Sequence, residues 1–240
     1  MHTTAAIWPW ARWRRRSHTA WGSLLDGPEI LLAALSRQQT GGVRVLVFEQ
    51  LSAPADLPDP AARDDWLVKS LRLSAEHLPG RLRTMALALR EGRCRQGTLQ
   101  WPGPFDAQAL EAEVQLEAAA ALGVPPGQVG FDFWLTSASD PAGTTVHWAA
   151  CLRAELAHWQ THARKAGWRL PVVEPEHQAA RRAATCLRGE HFEHWATSPQ
   201  DWQFSLTAER ELAERDWQQI QSSPLWGPLV ACGAALGALL

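Results

Sequence analysis

Two histidines, His158 and His162, stand four positions apart in a stretch with helical periodicity. On a helix this spacing places both imidazoles on one face, one turn apart, where they can share a zinc or copper ion. A stable site needs a third ligand at a matching distance, and none is evident from the sequence. We therefore predict no metal site from the sequence alone.

A second histidine-rich stretch, GEHFEHW, places His191 and His194 beside Glu190 and Glu193. It matches neither H-E-x-x-H nor H-x-x-E-H, so it predicts a polar surface and not a metalloprotease site. The sequence contains no G-x-S-x-G, P-loop or G-x-G-x-x-G motif, and its scattered cysteines and histidines form no recognisable catalytic pair. We predict that the protein has no catalytic residues, no small-molecule substrate and no enzymatic activity.

The composition limits the class of protein and its compartment. A chain of 240 residues with 46% hydrophobic content can bury a core of one or two domains. The net charge of -2 argues against binding nucleic acid through overall charge. The four cysteines are far apart with no C-x-x-C pair, and no signal peptide is recognisable, which favours a reducing, cytoplasmic compartment.

Residues 1–19 form an arm rich in tryptophan and arginine, with the sequence WPWARWRRR and no acidic residue. Indole rings favour the membrane interface and a basic cluster is attracted to anionic lipid, so the arm is a candidate for membrane contact. The same chemistry suits single-stranded nucleic acid, and a solvated tail is the third interpretation. The candidate contact residues are Trp8, Trp10, Arg12, Trp13, Arg14, Arg15 and Arg16.

The elements that must position any site alternate between strands and helices. Three strands separated by glycine turns begin at Ala20, a helix follows from Pro60 to about Leu78, and RTMALALR and RCRQGTLQWP read as a hairpin. Then come an acidic helix, two strands, a helix at 153–166, a short strand and another helix. The stretch 188–205 is predicted as a loop, followed by a helix with Thr207 as a possible N-cap. This order predicts mixed sheets flanked by helices.

Two of the helices have particular features. In the acidic helix, Asp106 is the predicted N-cap, Phe105 can pack on Leu110, and Gly123 is the predicted C-terminal stop. The C-terminal stretch GPLVACGAALGALL has an apolar part that is short for a membrane span, so we predict a buried helix, with membrane contact as the alternative.

The middle of the chain resembles the actin-like PilM-type proteins of type IV pilus assembly, and is closest to their short HofM (DNA utilization protein) variant. The resemblance is carried by the hairpin RTMALALREGRCRQGTLQWPG, the helix EAEVQLEA, the strand DFWL, and a helix ending in AG before PVVEPE. The C-terminal GPLVACGAALGAL is also similar to the helix that closes those proteins. The resemblance covers about residues 20–188 and 224–240. It implies an α/β fold: a single actin-like, ribonuclease H-like lobe with an inserted α+β subdomain, the second lobe missing.

The resemblance also implies a domain plan. Residues 1–19 are the flexible arm, 20–79 the first part of the actin-like core, 80–168 the inserted subdomain, and 169–240 the second part of the core with its C-terminal helix.

The match fails at the nucleotide hairpin. Relatives begin with G-x-D-x-G-S-x-x-x-K, whereas this chain has GSLLDGPEILL. Leu24 replaces the aspartate, Asp26 and Gly27 stand where the glycine and serine should be, and Leu31 replaces the lysine. A carboxylate at the turn repels phosphate, and no cation offsets it. The chain is also too short for the second lobe, so we predict that the ATP site is lost and that no cofactor is bound.

By resemblance, the protein is a non-catalytic cytoplasmic adaptor of a type IV pilus or competence (DNA uptake) machine, peripheral to the inner membrane. The implied partner is the N-terminal cytoplasmic peptide of an inner-membrane PilN-like protein, held in a cleft between the core and the inserted subdomain. The candidate partner-binding residues are the large apolar groups near the subdomain's turns, Trp101, Phe105 and Trp134. The alternatives are a type II secretion-like cytoplasmic scaffold, or a nucleic-acid or membrane-surface binder that works through the arm.

Overall fold

The computed structural model describes residues 18–26, 28–39, 41–57, 59–76, 83–101, 106–136, 144–189, 195, 198–207 and 210–239. The strands are β1 (Thr19–Asp26), β2 (Glu29–Arg37), β3 (Gly42–Ser52), β4 (Thr84–Leu89), β5 (Cys94–Trp101), β6 (Val129–Thr136), β7 (Thr144–Leu152), β8 (Arg169–Pro175) and β9 (Gln203–Ser205). The helices are α1 (Pro60–Glu76), α2 (Ala107–Leu122), α3 (Arg153–Lys165), α4 (Glu176–Cys186), α5 (Glu214–Gln221) and α6 (Trp226–Leu239).

The described residues divide into two compact units. The inserted unit is Glu91–His158, and the core unit holds the chain up to Arg90 and from Trp159 onward. The sequence predicted an inserted part at 80–168, so the structure differs at both ends. The difference arises because β4 pairs with β1 and β8 in the core sheet, and because the second half of α3 packs in the core unit.

The core unit is built on a six-stranded sheet in the order β8-β4-β1-β2-β3-β9. The three predicted strands form the antiparallel meander β1-β2-β3, and β1, β4 and β8 run parallel to one another. The buried middle of β2, 30–35, and nearly all of β4 are apolar and show no alternation, because helices cover both faces of the sheet.

Helices α4 and α6 cover one face of the core sheet, and α6 lies directly on β1. A Cβ added to Gly22 would lie 2.1 Å from the carbonyl oxygen of Ala231, so only glycine allows this approach. The other face packs against α1 and the second half of α3, where Leu67, Leu71 and Ala163 are buried. The C-terminal helix is thus a buried helix of the core, as predicted.

Three sequence predictions that involve the core unit are wrong. β4 and β5 do not form a hairpin, because β4 lies in the core sheet and β5 in the sheet of the inserted unit. Within the stretch predicted as a loop, Gln203–Ser205 forms β9 and pairs with β3. The helix that follows begins only at Glu214, and Ala213, not Thr207, occupies its N-cap position.

The inserted unit is an antiparallel sheet in the order β5-β7-β6 with α2 packed on one face. Asp106 caps α2 by accepting hydrogen bonds from the backbone N–H groups of Gln108 and Ala109, as predicted. Gly123 ends the helix with a left-handed φ of 66°, also as predicted. The core between α2 and the sheet contains Leu110 and Val114 from the helix, and Val146 and Trp148 from β7.

Candidate functional site

Two of the three predicted partner-binding residues can be placed. Trp101 ends β5 and Trp134 lies in β6, so both belong to the sheet of the inserted unit. Phe105 and the seven arm residues Trp8, Trp10, Arg12, Trp13, Arg14, Arg15 and Arg16 lie outside the described residues. The predictions for these eight residues stay predictions.

Trp101 and Trp134 project from opposite faces of the sheet. Trp101 packs against the α2 core together with Leu99 and Phe133, and it is half-buried there. Because side chains alternate along a strand, Trp134 points away from α2. The two tryptophans therefore do not form one surface, and only Trp134 lies on a face that α2 leaves uncovered.

We call the side of the sheet opposite α2 the Trp134 face. Its central contact is a stack between the indole of Trp134 and the imidazole of His147, with ring centroids 5.4 Å apart and an interplanar angle of 11°. The register places Thr98 of β5 on the other side of His147. The sequence analysis missed His147, although the alternation of β7 could have placed it on the same face as Trp134.

Polar side chains flank the Trp134–His147 stack on this face. Gln100 and Thr145 exchange side-chain hydrogen bonds of 3.0 and 3.2 Å across β5 and β7. Asp132 lies two residues before Trp134 in β6 and therefore on the same face. Its carboxylate accepts a hydrogen bond of 2.8 Å from the backbone N–H of Phe133. This combination of a flat aromatic pair and polar neighbours suits a partner with both apolar and hydrogen-bonding groups.

Among the described residues, β5 and β6 are the two edges of this sheet, since within it each pairs only with β7. An edge strand presents main-chain groups to which an extended segment can add as a further strand. Gln96, Thr98 and Gln100 make the β5 edge polar and exposed, whereas the β6 edge carries the half-buried Trp134. β6 therefore combines main-chain pairing with an apolar anchor.

Cys94 and Cys151 lie directly opposite each other in the β5-β7 register, and both are buried free thiols. Burial, followed by the nearby charges of Cys94 and Glu155, raises the pKa of Cys151 to about 12. The Cys151 thiol is therefore protonated near neutral pH and is a poor nucleophile or metal ligand there.

At the nucleotide hairpin, β1 and β2 pair as far as Asp26 and Glu29. Leu31, at the position of the relatives' lysine, is only 5% exposed. It packs on the first turn of α6, where a Cβ added to Gly227 would lie 2.8 Å from Leu31 Cδ1. Leu24, at the position of the aspartate, is fully buried in the core between the sheet and helices α4 and α6. These described residues do not fit a phosphate-binding hairpin, because apolar packing occupies the positions that would carry charge.

The histidine pair of α3 does have an acidic neighbour. Asp64 of α1 lies beside His162, with 3.2 Å between Asp64 Oδ2 and His162 Nε2. One potential ligand atom from each of Asp64, His158 and His162 lies within 4.8 Å of the other two. No signal in the sequence pointed to Asp64, because it precedes the pair by more than 90 positions.

Among the described residues, no single helix is long and apolar enough to cross a membrane. Only α5 and α6 taken together reach the required length and hydropathy, and they are bent by 108° relative to each other.

No protein-family model matches the sequence, and a search of curated proteins finds no match. Among solved structures, the chain is similar to one from the PilM-PilN type IV pilus biogenesis complex, with 19% sequence identity and a TM-score of 0.58. That match covers 71% of this chain and 51% of the other, so the chain spans about half the length of the PilM-type chain.

A second similar structure is the cytoplasmic domain of EpsL, an inner membrane component of the type II secretion system of Vibrio cholerae. The identity is 15%, the TM-score is 0.49, and the match covers 72% of this chain and 61% of the other. At 19% identity, the similarity to the chain of the pilus biogenesis complex establishes the fold alone. The predicted fold class is confirmed: the protein is a mixed α/β structure of the actin-like, ribonuclease H-like type, of single-lobe size.

Proposed function

We propose that the protein is a non-catalytic adaptor in a type IV pilus or related secretion assembly, and that it binds the N-terminal cytoplasmic peptide of an inner-membrane PilN-like protein. The observation that carries the proposal is the shared fold with a chain of the PilM-PilN complex. The absence of a recognisable catalytic motif in the sequence supports the non-catalytic part.

Within the inserted unit, the Trp134 face and the β6 edge provide the chemistry that such a peptide needs. An extended segment can pair its main chain with β6, and each pairing hydrogen bond gives affinity that does not depend on the peptide's sequence. The Trp134–His147 stack offers a flat aromatic surface for one apolar side chain. Tryptophan is a frequent anchor in interfaces because it contributes a large contact area with few rotatable bonds.

The core unit supports a function that needs no nucleotide. The buried Leu24 and Leu31 put apolar side chains at two positions that contact nucleotide in relatives by the resemblance. At the start of α6, Trp226 donates a hydrogen bond of 3.1 Å from its Nε1 to the carboxylate of Glu176. We therefore propose that partner binding is independent of ATP.

The finer parts of the proposal rest on the sequence resemblance. They are the HofM-like identity, a role in DNA uptake, a location at the cytoplasmic face of the inner membrane, and contact of the N-terminal arm with anionic lipid. The type II secretion-like scaffold and the nucleic-acid binder remain the alternatives. Deleting residues 1–19 separates the arm from the peptide function, since the proposed peptide contacts all lie in the inserted unit.

The test is a calorimetric and tryptophan-fluorescence titration of the purified protein with the N-terminal peptide of the PilN-like protein from the same genome, and separately with Mg-ATP. The proposal predicts saturable binding of the peptide and no binding of ATP. The Trp134→Ala variant should bind at least about tenfold more weakly, as expected for loss of an interface anchor. Trp134→Phe retains an aromatic ring beside His147 and should recover part of the affinity. Absence of peptide binding to the folded wild-type protein would refute the adaptor, and ATP binding would refute the lost nucleotide site.

A further inference from the structure

A second potential binding site is formed by residues of α1 and α3. It consists of Asp64, His158 and His162, whose potential ligand atoms all lie within 4.8 Å of one another. Neither the sequence resemblance nor the proposed adaptor function makes use of these residues.

The three side chains have the geometry of a first coordination shell. With metal–ligand distances of about 2.0 to 2.1 Å, two ligand atoms on a tetrahedral zinc ion stand about 3.3 Å apart. The 3.2 Å between Asp64 Oδ2 and His162 Nε2 is already at that value. The third donor, from His158, needs only a small side-chain adjustment to reach the same ion.

The helices hold these residues in place. α3 is one unbroken helix from Arg153 to Lys165, so His158 and His162 remain one turn apart on the same face. α1 begins beside Asp59, whose carboxylate accepts a hydrogen bond of 2.7 Å from the backbone N–H of Ala62. Asp64 therefore lies near a well-defined helix start, and its backbone does not have to be ordered by the ion.

Contacts between α1 and the chain at the end of α3 fix the third ligand relative to the histidines. Arg72 donates a hydrogen bond of 2.9 Å from Nη2 to the carbonyl oxygen of Lys165. The indole Nε1 of Trp168 donates one of 2.8 Å to the carbonyl oxygen of Leu71. Because the two helices are joined in this way, most of the entropic cost of assembling the site has been met during folding.

The site is also accessible. His162 is 6% exposed, which keeps one side of the site dry, while the side chain of Asp64 is 40% exposed. An ion can therefore enter from the solvent, and a coordination position remains for water or for a ligand from another molecule.

We propose that Asp64, His158 and His162 bind a divalent transition-metal ion, and that zinc is the ion they fit best. Two imidazole nitrogens and one carboxylate are ligands that zinc accepts in a four-coordinate site completed by water. The two imidazole nitrogens are poor ligands for magnesium and calcium, which prefer a shell made of oxygen atoms. The ion would join α1 to α3 within the folded protein.

The test is a calorimetric titration with zinc chloride of the full-length, untagged protein after treatment with EDTA. We expect one ion per chain, and affinity at least about tenfold lower in His158→Gln and in Asp64→Asn, as for loss of a metal-ligand interaction. The control His18→Gln removes an exposed histidine outside the site and should bind zinc like the wild type. Zinc should also raise the melting temperature of the wild type and not that of His158→Gln.

A cobalt(II) absorption spectrum gives a readout that does not depend on stability. Cobalt should produce strong visible bands typical of four-coordinate geometry in the wild type, and these bands should be lost in His158→Gln. Equal zinc affinity of the wild type and both site variants would overturn the proposal. Zinc binding that is lost in Cys94→Ser and retained in His158→Gln would also overturn the proposal, because it would place the ion at the pair Cys94 and Cys151.

Discussion

The guanidinium of Arg182 binds the carboxylate of Glu174 through two hydrogen bonds, 2.7 Å from Nη1 to Oε1 and 2.6 Å from Nη2 to Oε2. The Nη1 of Arg182 also donates to the carbonyl oxygen of Gly233, at 2.8 Å. One side chain thus links the end of β8, helix α4 and helix α6. Burial alone would lower the pKa of Arg182, but the charge and hydrogen bonds of Glu174 outweigh it and raise that pKa. Arg182 therefore stays charged despite its burial.

Replacing Arg182 with Met should lower the free energy of unfolding by about 3 to 5 kcal/mol, because Glu174 would keep a buried charge without its partner. Urea denaturation followed by tryptophan fluorescence measures the loss. The matched control is Arg93→Met, which breaks an ion pair of 2.6 Å with Glu155 in which the Arg93 side chain is 53% exposed. Its effect should be about 0 to 1 kcal/mol, and equal losses in the two variants would contradict this account.

The contact between α4 and α6 depends on Gly233. A Cβ at this position would lie 1.8 Å from the carbonyl oxygen of Ala179, and the helix backbone cannot move away without separating the two helices. We expect Gly233→Ala to cost about 3 kcal/mol, the upper end of the usual range for overpacking. Gly127→Ala is the control, because a Cβ there meets no atom within 4 Å. Thermal melting of the two variants would contradict the packing argument if their midpoints fell equally.

The cap of α2 can be tested by changing Asp106. Asp106→Ala removes the acceptor for the N–H groups of Gln108 and Ala109, which should cost about 1 kcal/mol. Asp106→Asn keeps an acceptor at the same place and should retain most of the stability. If the two substitutions lower the denaturation midpoint by the same amount, the carboxylate does not act as a cap.

The sequence predicted the elements whose signals are local and missed those that depend on distant partners. The cap at Asp106 and the stop at Gly123 follow from neighbouring backbone groups, so they were predictable. β4 was misassigned because TMALAL precedes a short turn and another strand-like run, which imitates a hairpin. Its lack of alternation is typical of a strand buried on both faces, and that signal favoured the core sheet.

Strand β9 and the position of Asp64 could not be predicted, for the same reason. β9 has only three residues, and Phe204, which anchors it, is fully buried by contacts distant in sequence. Asp64 becomes a neighbour of His162 only when α1 packs beside α3. The separation of Trp101 and Trp134 onto two faces was predictable from strand alternation, once the register of β5 and β6 with β7 was known.

The cysteines give a prediction for alkaline pH. Since the pKa of Cys151 is raised from 9.0 to about 12, its thiolate fraction near pH 8 is about a thousandfold below that of an unperturbed thiol. Its modification by a thiol reagent should be slow in the native protein and fast in urea. The raised pKa of Cys151 makes its full contribution to the free energy of unfolding below pH 9. This contribution is lost as the pH rises towards about 12, because the thiol of the unfolded chain releases its proton first. Rapid labelling of Cys151 in the native state would contradict this burial.

The central claim is that a peptide from a membrane protein docks on the inserted unit at β6 and Trp134. Amide hydrogen exchange with and without saturating PilN-like peptide tests it directly, because strand addition protects the amides of the edge strand. The account predicts slower exchange in Val129–Thr136 when the peptide is present, and clearly weaker protection of Trp134→Ala at a peptide concentration close to the wild-type Kd. Peptide binding that leaves exchange in Val129–Thr136 unchanged and protects another segment would contradict it.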